Sequence, residues 1–495
     1  MRSSGLGACL VLALVCACGN AGAGERVFVV RPPAVAGTFY PADSSELAGM
    51  VDSLMDLAGG FVPPPGQTII SGLAPHAGYA YSAPTAAALY ASLRGLSFDR
   101  VYVLAPAHRA ALNGMCAYDG DAFLTPLGTV PVDTSACSRL AASCPAVRLG
   151  SAEHAAEHAI EVQLPFLQRS LASGWKLVPV LVGWTDGNSL SMLAEMIFAD
   201  AWNSRVLVIA SSDLSHYPPL PLADLSDSLT LSSWASGDPE AFLDATDESS
   251  LPPGLETRAC GRLPMAVVLY YDRLWGHCST TVLGRATSAE ATGDRSSVVG
   301  YGAAVCTVDT SSARSALSPG ARSRLCAIVA RELRLAAEGE PPSDSLPDLG
   351  GELGRYRGVF VTYTEHGALR GCIGTMRPVY PLARAVAMMA RSAALEDPRF
   401  PAISRSELGS VDMEISVLTP LQLLEDPLSV RLGTDGLLIV KNGRSGVLLP
   451  QVPAEAGWTT PEQFLEGLCQ KAGLPAGAWR RGATLFRFQA EVFGP

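Results

Sequence analysis

Between residues 26 and 309 the hydrophobic positions change period repeatedly. Residues 68–73, 100–105, 176–182 and 205–210 are short runs, β-branched and apolar at successive positions, as strands buried on both faces require. Ahead of and between them the period lengthens. Leu47, Met50, Val51, Leu54 and Met55 recur at helical spacing behind Asp43 and Glu46, a capping-box pair. The spacing predicts further helices over 84–93, 157–171, 189–198 and 262–274. Strand and helix in alternation predict an α/β domain with a largely parallel sheet covered on both sides.

A different pattern follows. Residues 310–322 (TSSARSALSPGAR) are small and polar with a Pro-Gly pair, and read as a linker. From 323 to 495 a helix over 323–337 precedes hairpins. One, over 359–375, folds at His366-Gly367; another, over 437–449, turns at Asn442-Gly443, a dipeptide suited to tight hairpins. Thr460, Pro461 and Gln463 supply the cap, first-turn proline and capping-box partner of one more helix. This smaller second domain is α+β.

With 495 residues, 48% hydrophobic and 17% charged, the chain has enough apolar material for two or three folded domains. Its 36 basic and 47 acidic residues leave a net charge of −11, so no basic field exists to hold a phosphate backbone, and nucleic acid is excluded as a partner. No Gly-Lys pair is present, which removes the phosphate-binding loop, and Gly300-Tyr301-Gly302 lacks the third glycine of a dinucleotide fingerprint. The spacing C-x-x-C is absent, which removes zinc ribbons, thioredoxin chemistry and the usual cysteine triplet of a four-iron cluster.

Residues 1–24 form their own unit. Arg2 precedes a short apolar run from 6 to 17 and then small residues, the layout of a secretory signal and too short to span a bilayer. Val15-Cys16-Ala17-Cys18 has the form of a bacterial lipobox, with lipidation at Cys18, while Ala21-Gly22-Ala23 suits an ordinary signal peptidase. The expectation is export, to the periplasm or to a membrane-anchored lipoprotein of a bacterium, with contact to membrane only through that lipid. The alternative is a cytoplasmic chain with an inconsequential leader. Export permits disulfides among the remaining cysteines, of which Cys137 and Cys144 form the only close pair.

Open α/β sheets bind ligands outside the carboxyl ends of their strands. Three predicted strands run into ionisable residues at that edge: 68–73 into Pro75-His76-Ala77-Gly78, 100–105 into Pro106-Ala107-His108-Arg109, and 205–210 into Ser211-Ser212-Asp213-Leu214-Ser215-His216. The chain has seven histidines, so three at one edge point to a shared site rather than to separate loop residues. His154 to His158 spells H-x-x-E-H, which on a helix would place two imidazoles on one face for zinc with Glu157 as base. Competing readings are a charged helix start without a ligand role, or His158 and Glu161 lining the strand-end cleft. Cys260 stands between Arg258 and Arg262 just ahead of a helix, a setting that favours thiolate, the competing reading being an inert buried thiol.

APHAGY at 74–79, AP-x-H at 105–108, EHAIEVQLPF at 157–166, VPVLVG at 178–183, SSDLSH at 211–216 and ACGR at 259–262 together resemble the Memo family, in order, over about residues 33–306. The resemblance implies the fold of class III extradiol dioxygenase subunits and a metal site of two histidines and a cysteine, here His76, His108 and Cys260. His216 with Asp213 falls where those dioxygenases keep a catalytic acid/base, and His158 joins them on the cleft. LRGCIGT at 369–375, EDPRFPAI at 396–403, ISVL at 415–418, LLPQVPAEAGW at 448–458 and KAGLP at 471–475 resemble the AMMECR family over about 322–493. There Cys372 beside Arg370 is either a reactive thiol or a close-packed hairpin residue. The two halves resemble components B and A of the AmmeMemoRadiSam system in one chain, which implies a radical SAM partner that the leader, if it directs export, would separate from it. The expected activity is that of a metal-dependent, dioxygenase-like redox protein acting on a small molecule of unknown identity. Fe(II) is the expected metal, copper or zinc being the alternatives that two imidazoles and a thiolate also suit. Competing functions are a non-enzymatic metal-binding or interaction scaffold, and a zinc hydrolase.

Overall fold

A computed structural model describes residues 28–249, 251–276, 278–343 and 350–495; the leader and Cys18 lie outside them. The first domain is built on eight strands: β1 (Thr68–Ala74), β2 (Arg100–Pro106), β3 (Met115–Ala117), β4 (Val147–Leu149), β5 (Lys176–Val182), β6 (Val206–Ser211), β7 (Ser279–Thr287) and β8 (Gly300–Val308). They lie in the order β7-β8-β1-β6-β2-β5-β3-β4. The four central strands are parallel, and they are the four that the apolar runs predict. β8 joins β1 antiparallel, and β3 joins β5 antiparallel, so the sheet is parallel at its centre and mixed at its flanks. After β1, β6, β2 and β5 the chain reaches the same edge of the sheet.

Helices cover both faces: α1 (Ser44–Ala58), α2 (Tyr79–Ser92), α3 (Thr134–Ser143), α4 (Leu164–Ser170), α5 (Gly187–Ala201) and α6 (Arg262–Trp275). Asp43 caps α1 by accepting from the amides of Ser45 and Glu46. The helix expected over 157–171 forms only in its second half. Residues 157–158 have no regular structure, 159–160 form a turn, Glu161–Gln163 is a single 3-10 turn, and α4 begins at Leu164 with Pro165 in its first turn. The cysteines of the described residues are free thiols, Cys137 and Cys144 among them.

Residues 310–322, expected as a linker, carry a helical turn at Thr310–Arg314 and the start of α7 (Pro319–Ala337), capped by Ser318. The second domain has two four-stranded sheets. The first contains the hairpin Val359–Glu365 (β9) and Ala368–Thr375 (β10), covered by α8 (Leu382–Leu395); β11 (Val411–Leu418) lies beside β9. The second contains β12 (Gln422–Leu423), β13 (Gly436–Lys441), β14 (Arg444–Leu448) and β15 (Thr484–Phe488), with α9 (Pro461–Lys471) against it. Both predicted turns form, and His366-Gly367 and Asn442-Gly443 each adopt positive φ at both positions. The capping box of Thr460 with Gln463 also forms.

Arginines tie the two domains together. Arg357 is buried and donates to the carbonyls of Leu274 (3.1 Å) and Ala313 (2.9 Å), its guanidinium lying over Phe198 and Trp202. Arg377 reaches Glu195 on α5 at 2.6 Å and also bonds Asn188.

Candidate metal centre

The end of β1 delivers His76, the end of β2 delivers His108, and the turn before α4 delivers His158. Their ring centroids are 5.0 Å (76 to 108), 5.5 Å (76 to 158) and 5.0 Å (108 to 158) apart. One ring nitrogen of each lies within 4.8 Å of the others. Cys260, in the turn before α6, brings its Sγ to 3.2 Å from His76 Nε2. Gly261 makes that approach possible, since a Cβ there would stand 2.6 Å from the Ser211 carbonyl oxygen. His76 is 2% exposed, while the side chains of His158 and His108 are 11% and 29% exposed, so the group opens to solvent on the His108 side.

Hydrogen bonds fix which nitrogen is free on the His76 and His108 rings. Ser211 Oγ donates to the Ala159 carbonyl (2.7 Å) and accepts from Gln163 Nε2 (2.8 Å), itself held by the Tyr90 hydroxyl (2.7 Å). With its one proton spent, Ser211 can only accept from His76 Nδ1 (3.0 Å), which leaves the Nε2 lone pair facing Cys260. Glu157 does the same for His108: its carboxylate lies 3.1 Å from Nδ1, assigning the proton there. That carboxylate also accepts from the backbone amides of His108 (2.6 Å), His158 (2.9 Å) and Ala159 (3.0 Å). Burial alone would push Glu157 up, yet the His108 ring, the Ala159 amide and the adjacent imidazoles bring it down to about 2.

Burial and the crowding of neighbouring imidazoles pull His76 well below the ordinary histidine value. Burial brings His158 down to about 4, against the pull of Glu157. Both rings are therefore neutral near pH 7, the form that ligates. His158 Nδ1 is buried without a hydrogen-bond partner, although Glu157 Oε1 stands 3.2 Å away. For Cys260 the structure corrects the sequence expectation. Burial and the charge of Asp213 push the thiol up, outweighing the backbone of Asp213 and Gly261 and the Ser212 hydroxyl, while Arg262 donates to the Leu243 carbonyl (3.1 Å). Only a cation beside the sulfur would make it a thiolate. Neutral imidazoles with converging lone pairs, an orphaned ring nitrogen and a thiol form a donor set that fits a transition-metal ion.

Asp213 is buried and accepts from the amides of His76 (2.7 Å) and Ala77 (3.2 Å), so it positions the His76 loop. His216 bonds the Leu214 carbonyl through Nδ1 (2.9 Å), leaving Nε2 free. Its backbone exchanges bonds with Thr257 and Glu256, fastening the β6 end to the Cys260 segment. The zinc-protease reading is overturned. His154 and His158 share no helix, and His154 bonds the Cys116 carbonyl (3.1 Å) among Tyr118 and Phe123. Glu161 does not line the cleft either: it is fully buried against Arg31 (2.6 Å), Tyr40 and the amides of Ala34 and Val35.

In the second domain Cys372 Sγ accepts from Thr362 Oγ1 (3.2 Å), and its amide donates to Asp397 (2.8 Å). Arg370 is engaged by Glu407 (2.7 Å) and the Pro401 carbonyl. Glu157, Ser211 and Gln163 are the site residues that sequence reasoning missed in these roles; the only signal was their place inside the EHAIEVQLPF and SSDLSH segments.

An α/β sheet of extradiol-dioxygenase-like fold, with three histidines able to hold a metal at its strand-end edge, defines the class. The chain belongs to the Memo-like protein family, whose model matches residues 31–305, and residues 324–493 match the AMMECR1 family. A MEMO1 family protein of Ignicoccus hospitalis is 34% identical over 284 residues, covering 56% of this chain and 98% of that protein. A protein of Thermococcus onnurineus is 46% identical over 165 residues, covering 31% of this chain and 78% of that protein. The crystal structure of the uncharacterised protein PH0010 from Pyrococcus horikoshii is 38% identical, covering 34% of this chain and 88% of that one, with a TM-score of 0.32. Among the described residues no helix is long and apolar enough to cross a membrane.

Proposed function

We propose that the first domain is a metal-dependent, dioxygenase-like redox enzyme whose ligands are drawn from His76, His108 and Cys260, with His158 on the same cavity. The observation that carries this reading is the pair of fixed tautomers, which aim the Nε2 lone pair of His76 at the space beside the Cys260 thiol and free that of His108. Fe(II) bound there would supply one-electron chemistry and a site for oxygen and a small chelating substrate. His158, neutral and with an unspent Nδ1, is the proton acceptor within the cleft, and His216 Nε2 is a second one. Asp213 acts through His76 and holds its loop.

The contact of Cys260 with His76 favours a softer ion, copper or zinc, as the second reading. Anaerobic purification followed by mass-spectrometric measurement of bound iron, copper and zinc decides between them. Stoichiometric iron that is lost in His76→Ala and His108→Ala supports the enzyme reading. Metal absent from the wild type, or unchanged in both variants, sinks it. Turnover abolished in His216→Ala with metal retained supports the role of that residue. A radical SAM protein as partner, and export with a lipid on Cys18, are two further expectations that compete, since export would part the chain from that partner. Co-purification tests the first, and the mass and lipid content of the mature chain test the second.

A further inference from the structure

The two domains enclose a crevice of about 390 Å³ between α3 and the end of α5 on one wall and β12 with β15 on the other. That is the size of a small-metabolite pocket. Its charged lining is three arginines, Arg100, Arg139 and Arg487, against two carboxylates, Asp200 and Glu425. The arginines are not equivalent. Arg100 is engaged through Nε and Nη1, reaching Asp133 (2.6 Å), Asp200 (2.9 Å) and Ser204 (3.1 Å), and Asp200 also accepts from the Tyr102 hydroxyl (2.8 Å). Arg139, on α3, approaches Asp200 only to 3.8 Å and Glu425 only to 3.6 Å, beyond hydrogen-bond length. The side chain of Arg487, on β15, forms no hydrogen bond or ion pair with any described residue.

Two guanidiniums, one from each domain, therefore line one crevice with their N–H groups unspent. A guanidinium presents five donors in a planar fork matched to carboxylate and phosphate oxygens. Asn203 and Gln422 add amides with no side-chain partner among the described residues, while Leu140 and Phe486 supply an apolar floor. We propose that this crevice is a binding site for a small organic oxyanion, a carboxylate or phosphate ester, clamped between Arg139 and Arg487. Glu425 is the group that such a ligand displaces. Its side chain is 70% exposed, so its long contact with Arg139 is screened and weak. The site exists only where both domains are joined, and its occupancy favours their docked arrangement.

Isothermal titration of the full chain at low salt, with inorganic phosphate and with succinate as probes, tests this. One equivalent of either probe should bind. Arg139→Gln and Arg487→Gln should each weaken it about tenfold or more, and the double variant should abolish it. Glu425→Gln should tighten it, and Arg205→Gln, at an exposed pair with Asp99, should leave it unchanged. Preference for phosphate identifies a phosphate ester as the natural class, and preference for succinate a carboxylate. Neither of the two arginine side chains has a hydrogen bond to lose, so the variants should keep the wild-type melting curve, which the same samples report. No binding of either probe, or binding retained by a folded double variant, overturns the proposal.

Discussion

Replacing Glu157 with Gln keeps the shape of the side chain but leaves one oxygen where two had accepted from four N–H groups. The amide nitrogen must then face a donor, and His108 loses its fixed orientation. Metal affinity should fall by about 10–100-fold in a chelator-competition titration. An unchanged affinity would mean that the end of β2 alone orients His108. A second buried carboxylate gives a pH signature. Asp272 accepts from Ser71 Oγ at 2.7 and 2.9 Å, and burial pushes it up to about 7. The folded state thus holds a proton that the unfolded chain releases at lower pH. Stability should fall as pH rises from about 4 to about 7 and level off above. Asp272→Asn should remove that slope in pH-dependent denaturation, and a slope that persists would assign it to another group. The histidines were legible because the strands that deliver them carry a clear apolar signal. Glu157 was not, because its partner His108 lies 49 positions away and the H-x-x-E-H spelling suggested a helix. The residues around Cys260 misled for a related reason: the charges beside it in sequence are not the groups that face its sulfur.

At the scale of elements, the close passage of the Cys260 turn over the β6 end is the feature most exposed to substitution. Gly261→Ala would set a methyl 2.6 Å from the Ser211 carbonyl oxygen and 2.7 Å from Ser212 Cβ, neither of which can swing away. The turn must lift, at a cost of roughly 1–3 kcal/mol. With cobalt as a reporter, the sulfur-to-metal charge-transfer band should weaken while imidazole ligation persists. A band of full strength would show that the turn absorbs the methyl. The four central strands were readable from composition because both faces are buried. The long strands β7 and β8 were not singled out. Glycines interrupt β8 at Gly300 and Gly302, where a Cβ would run into Asp227 and Leu231, so tertiary contact rather than propensity selects them. The helix expected over 157–171 starts late for a comparable reason: Glu157 spends its carboxylate on the amides and ring of the site.

The whole molecule is held at its seam by a cation without a carboxylate partner among the described residues. Burial brings Arg357 down to about 9, still cationic near neutrality, and the carbonyls of Leu274, Ala313 and Tyr356 with two aromatic rings solvate it in place of water. Arg357→Met should keep the volume and remove these bonds. Calorimetry should then resolve two thermal transitions where the wild type shows one. A single transition at the wild-type temperature would assign the coupling to Arg377 and Glu195 instead. None of this was legible in the sequence, where 310–322 read as a tether.

One element touches both the seam and the metal centre. Helix α6 has 14 residues, about 21 Å end to end. Cys260 stands two residues before its first, and the Leu274 carbonyl that Arg357 holds is one residue from its last. The helix is thus a single rigid strut, and its two ends set the position of the Cys260 turn and of the Arg357 seam with respect to one another.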